Sequence, residues 1–178
     1  MNRSLNGAYE ISETKKIARL GLMTAATVIF YLQIGPWIDV VLPVIGCILR
    51  PMIVVFFLTS FFHLQALEII APTLFGSALY AFLIVCPLGW FSLIFVPVSF
   101  VYTLIYVFLR NRFRPEINFT LSAIGSGIIL LFLISLVLPA QFQVALRYMP
   151  VVVIVSVVLG LIQKLAGRID CHKCEGCG

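Results

Sequence analysis

Residues 119–138 read Phe-Thr-Leu-Ser-Ala-Ile-Gly-Ser-Gly-Ile-Ile-Leu-Leu-Phe-Leu-Ile-Ser-Leu-Val-Leu, twenty positions without a charge. A helix of that length rises about 30 Å, the thickness of the hydrocarbon core of a bilayer. Similar apolar stretches recur on either side, over 17–34, 40–62, 67–85, 90–109 and 148–165. They predict an all-α integral membrane protein, a compact bundle of about six transmembrane helices. Composition agrees. Of 178 residues, 62% are hydrophobic and 11% charged, where a soluble domain carries about 25% charged residues. A chain this apolar has too little polar surface to cover a water-facing exterior.

The boundaries follow from local chemistry. Lys15, Lys16 and Arg19 flank the start of the first span, and Gly35-Pro36 predicts its end. The run 40–62 is interrupted by Arg50-Pro51, so it is either one kinked helix or a re-entrant piece followed by a short span. Cys86-Pro87-Leu88-Gly89 predicts a tight turn, and Arg110 to Pro115 a basic loop. Residues 139–147 are expected to be a loop before the last span. The resulting organisation is a cytoplasmic segment 1–16, a transmembrane domain 17–166 and a Cys-rich tail 167–178. The polar first 14 residues, and an apolar run that is long and lacks a small-residue cleavage site, predict a permanent first span rather than a cleaved signal.

The net charge of +5 sets topology rather than pointing to nucleic acid. Of 12 Lys and Arg residues, four lie at or before the start of the first span, three in 110–114 and three after residue 163. Six spans with both termini inside put all three clusters on the cytoplasmic face of the plasma membrane. Dividing 40–62 into two full spans would put the 110–114 cluster outside, so seven spans are rejected.

Three constellations could carry function. Ala18, Gly21 and Ala25 form a small-residue stripe, with Gly21 and Ala25 four apart, which lets another helix approach closely. The stripe serves either packing within the bundle or contact with another subunit. Asp39, Arg50, His63, Gln65 and Glu68 are polar groups within or beside apolar stretches, where ionisable residues usually face a cavity or each other. Arg50 is the deepest. It lines a ligand site or a subunit contact, or else it snorkels to the headgroups. Asp39, Glu68 and His63 are weaker ligand-lining candidates, being nearer the predicted interfaces. Cys171, His172, Cys174 and Cys177 have the spacing of a soft-metal ligand set. With no second ligand cluster in the chain, the tail is expected to be dispensable and without metal. No G-x-S-x-G, H-E-x-x-H or phosphate-binding G-x-x-x-x-G-K-[ST] pattern occurs. An enzyme is not expected, nor a cofactor.

The opening Thr14-Lys15-Lys16-Ile17-Ala18-Arg19-Leu20-Gly21-Leu22-Met23-Thr24-Ala25-Ala26 resembles the first helix of the substrate-binding S components of energy-coupling-factor (ECF) transporters. That family often carries an Ala-x-x-x-Ala pair there, which docks onto a membrane coupling subunit; here Gly21 and Ala25 occupy those positions. Leu42-Pro43 to Leu49-Arg50-Pro51, and Arg147-Tyr148-Met149-Pro150, also fit. The resemblance implies a binding subunit for a small vitamin-like molecule, with import powered by a coupling subunit and separate ATPases. None of that family's ligand contacts can be carried over, because they differ among its members. A second resemblance is to MreD-type rod-shape-determining proteins, on Gln33-Ile34-Gly35-Pro36-Trp37, on Leu79-Tyr80 to Pro87-Leu88-Gly89, and again on Arg147 to Pro150. This chain has Ala81 where such proteins often carry an Asp. That resemblance implies a non-enzymatic scaffold of cell-wall elongation with morphogenesis partners.

Overall fold

The computed structural model describes residues 3–41, 45–61, 66–88 and 92–175, with side chains over 14–38, 45–60, 66–83 and 93–166. The described residues form six helices and no strand: α1 (Arg3–Val41), α2 (Gly46–Phe61), α3 (Ala66–Leu88), α4 (Ser92–Leu109), α5 (Pro115–Val137) and α6 (Pro139–Glu175). Four segments are long and apolar enough to cross a membrane: Thr14–Ile38, Ala66–Leu83, Pro115–Val137 and Pro139–Ala166. This is the character of a multi-pass membrane protein. α2 and α4 are apolar but shorter. At 16 residues α2 rises about 24 Å, less than the hydrocarbon thickness.

The helices α1, α3, α4, α5 and α6 pack in that order as an arc, and α2 touches all five. α1 makes no contact with α6 among the described residues, so the arc is open there. The sequence accounts for the central place of α2. Ile48, Leu49, Met52, Val54, Val55 and Leu58 cover more than half of its circumference and are all buried, while Phe57 on the remaining side is exposed. Helices consecutive in the chain alternate in direction. α1 and α3 run parallel, since Arg19 meets Glu68 at one end and Gly35 meets Tyr80 near the other.

The radial distribution of polarity is that of a protein dissolved in lipid. Leu22, Phe82, Phe132, Leu136 and Ile154 point outward, while Thr73, Ser77, Asn118, Ser122, Ser126 and Ser156 are buried. The inward hydroxyls are largely satisfied within their own helices. Thr27, Thr59, Thr73 and Thr103 each donate to the carbonyl four residues back, at 2.7–2.8 Å. Small inward residues let backbones approach. At Gly160 of α6 an added Cβ would stand 2.8 Å from the Glu116 nitrogen and 3.0 Å from the Pro115 oxygen of α5.

Three expected boundaries are corrected, the first at Cys86-Pro87-Leu88, which continues α3 as helix instead of turning. The first helix runs through Gly35-Pro36 to Val41 instead of ending there. Pro36 removes the helical donor to the Leu32 carbonyl, a loss that a helix inside a bundle tolerates; Arg50 reaches the neighbouring Gly35 carbonyl. Residues 139–147 are helical and begin α6 rather than forming a loop. Pro139 opens that helix, where its missing N–H is no loss, and only Leu138, with φ −147°, breaks the chain direction. Within the run 40–62, residues 40–41 end α1 and α2 runs from Gly46 to Phe61 through Pro51; residues 42–44 and 62 lie outside the described ones.

Candidate functional site: a buried arginine among aromatic rings

Arg50 sits near the start of α2, and the central position of that helix carries it into the bundle. It is 4% exposed. Its Nη2 donates to the Gly35 carbonyl oxygen of α1 at 3.2 Å. Its guanidinium carbon lies 4.8 Å from the ring centre of Tyr80 on α3 and 5.5 Å from that of Phe95 on α4. A third ring, Tyr31 of α1, lies 5.6 Å from Tyr80 and 5.2 Å from Phe95, and those two are 5.5 Å apart. Four helices therefore meet around one guanidinium. The side chain is turned inward among these rings.

Gly35 makes this approach possible. A Cβ there would stand 2.9 Å from the Tyr80 hydroxyl and 3.2 Å from Arg50 Cζ. A guanidinium keeps its charge, and burying one at membrane depth costs about 2.5–3.5 kcal/mol on the insertion scale. Aromatic faces return up to about 2 kcal/mol when water is excluded, and the Gly35 carbonyl adds a charge-assisted hydrogen bond. The hydroxyls of Tyr31, Ser99 and Tyr102 are buried and make no hydrogen bond among the described residues. Ser99 lies one turn along α4 from Phe95, and Tyr102 three residues beyond Ser99. Fixed positive charge, ring faces and uncommitted hydroxyls are the means of holding a small molecule that carries a carboxylate or phosphate.

The other predicted residues do not join Arg50. Glu68 meets Arg19, Nη1 to Oε1 at 3.7 Å, and lies about 18 Å along α3 from Tyr80. The side chain of Asp39 lies outside the described residues, as does His63 entirely. Ala18, Gly21 and Ala25 are all exposed, and a Cβ at Gly21 would meet nothing within 4 Å. Among the described residues the stripe thus faces outward. The side chains of Cys171, His172 and Cys174 lie outside the described residues, and Cys177 lies beyond them altogether. Among the described residues no group of three His, Cys, Asp or Glu could hold a metal.

A second polar cluster was not anticipated from sequence. Gln163 of α6 donates to the Thr59 hydroxyl of α2 at 2.9 Å, and the Tyr106 hydroxyl of α4 donates to the Gln163 side-chain carbonyl at 3.4 Å. Asn118 of α5 donates to the Tyr106 backbone carbonyl at 3.0 Å. Beside them Lys164 pairs with Glu116 at 2.8 Å. Amides inside apolar helices are the signal that could have found this cluster. It ties four helices at the end of the bundle nearest the 110–114 turn, away from Arg50.

Comparison with protein-family models, with curated proteins and with solved structures yields no match to this chain.

Proposed function

We propose that this chain is a six-span membrane subunit, both termini cytoplasmic, that binds a small anionic, vitamin-like molecule for import powered by separate ATPase subunits. The observation that carries this reading is Arg50: a charged group is held inside the bundle by the Gly35 carbonyl, the Tyr80 side chain and the face of Phe95, with the buried hydroxyls of Tyr31, Ser99 and Tyr102 on the neighbouring helices. The outward stripe of Ala18, Gly21 and Ala25 supports docking of a coupling subunit. The same stripe favours the second reading, a scaffold of cell-wall elongation, which needs a partner helix but no ligand.

The test is ligand binding by the purified protein in nanodiscs, using a panel of small carboxylates and phosphate esters read by thermal shift. Arg50→Lys keeps the charge but loses the planar fork. It is expected to weaken binding at least tenfold while expression and helicity stay normal. If no anion stabilises the parent protein, and if Arg50→Lys and Arg50→Gln both behave as the parent does, the importer reading fails and the scaffold reading takes its place.

A further inference from the structure

Where α1 meets α2, the two helices leave an open groove of about 350 Å³, lined among the described residues by these two helices. Its lining is hydrocarbon: Leu22, Ala26 and Phe30 from α1, and Val54, Phe57 and Leu58 from α2. Thr27 also borders it, but its hydroxyl is engaged with the Met23 carbonyl at 2.8 Å. The groove runs along α1 from Arg19 to Phe30, about 16 Å at 1.5 Å per residue. A hydrocarbon-lined slot of that length, with a charged mouth at one end, suits one extended acyl chain.

One end is charged. Arg19 borders the groove, and nearly half of its side chain is exposed. Lys15 lies one turn before it on the same helix face and is exposed. Glu68 approaches Arg19 at 3.7 Å and offsets part of the charge, but a guanidinium offers five donors, and one long contact occupies few of them. Basic groups at the mouth of an apolar slot between membrane helices are the arrangement that holds an anionic lipid headgroup.

We propose that the α1–α2 groove is a specific site for an anionic phospholipid, with one acyl chain along Leu22, Ala26 and Phe57 and the phosphate on Arg19 and Lys15. The site is separate from Arg50 and does not depend on the importer reading.

The test uses the full chain, delipidated in detergent and offered equal amounts of phosphatidylglycerol and phosphatidylcholine with identical chains, read by native mass spectrometry. One phosphatidylglycerol per chain is expected, preferred about tenfold, the scale that two basic side chains partly offset by Glu68 supply. Lys15→Gln with Arg19→Gln should bring the preference close to one. Ala26→Trp and, separately, Leu22→Trp fill the groove at exposed positions where the bundle tolerates bulk, and each should abolish retention of the lipid. Equal retention of the two lipids by the parent protein overturns the proposal. So does retention that both Trp variants leave intact, or displacement of the lipid by millimolar inorganic phosphate. Disulfide-linked dimers of Leu22→Cys, formed in place of lipid binding, would assign the groove to a second copy instead.

Discussion

Replacing Gly160 by alanine should separate the α5–α6 pair at one end. The added Cβ would stand 2.8 Å from the Glu116 nitrogen and 3.0 Å from the Pro115 oxygen, and closer still to the Glu116 Cα. All three are backbone atoms in the first turn of α5, so no side chain can swing aside. Carbon contacts settle at about 3.5–4.0 Å, so the helices must part by roughly 1 Å. Overpacking of this kind costs about 1–3 kcal/mol. The separation also stretches the neighbouring Lys164–Glu116 pair, at 2.8 Å, and the Gln163 contacts to Thr59 and Tyr106, where interhelical hydrogen bonds are worth about 0.6 kcal/mol each. Alanine returns about 0.8–1 kcal/mol of helix propensity. The net expectation is a loss of about 2 kcal/mol. Equilibrium unfolding in mixed micelles measures it, with Gly127→Ala as the comparison: there the obstructing atom is the flexible end of Met149, and the loss should be markedly smaller. A Gly160→Ala protein as stable as the parent would refute the close crossing and the packing argument built on it.

Gly21→Ala should leave stability unchanged or raise it by up to about 1 kcal/mol, because nothing lies within 4 Å; Gly21→Leu with Ala25→Leu should fold normally yet lose partner copurification, and normal copurification would mean the stripe faces only lipid. Reporter fusions at residue 113 and at the C-terminus should both read cytoplasmic, since ten of the 12 basic residues then lie inside; an external signal at 113 removes the six-span topology. Gln163→Leu should cost about 1 kcal/mol in the same unfolding assay, and an unchanged midpoint would show that the amide is not a clasp.

Hydropathy located the helices because twenty uncharged residues admit few structures other than a span. It could not place their ends. Pro36, Pro51 and Pro150 all lie inside helices, since a bundle can satisfy the groups that proline frees. Arg50 was legible because a guanidinium in an apolar run is conspicuous wherever the chain goes. Tyr31, Tyr80 and Phe95 were not. They belong to three different helices, and among 15 Phe and 6 Tyr nothing in the sequence distinguishes them. Their role depends on the rotation of α1, α3 and α4 against α2, which packing decides. Gln163 and Asn118 were visible as amides beside apolar runs, but they stood near predicted span ends, where polarity needs no explanation, so the sequence did not show that they meet across four helices.

Gly35-Pro36 shows how a signal can be genuine and its meaning mistaken. Glycine followed by proline ordinarily marks a helix end, because one adds backbone freedom and the other removes a donor. Here the same two properties serve a close approach. The missing Cβ admits the Tyr80 hydroxyl and the Arg50 guanidinium to the surface of α1, and the Gly35 carbonyl accepts from Arg50 across the interface. On α2, Pro51 directly follows Arg50, so the breakers of two neighbouring helices lie at the same depth with the charge between them. In water such breakers would end both helices. Inside a bundle they thin the walls at one level, and a charged side chain occupies the space. Paired breakers at matching depth in adjacent helices are therefore better read, in a chain this apolar, as points of close helix approach than as turns.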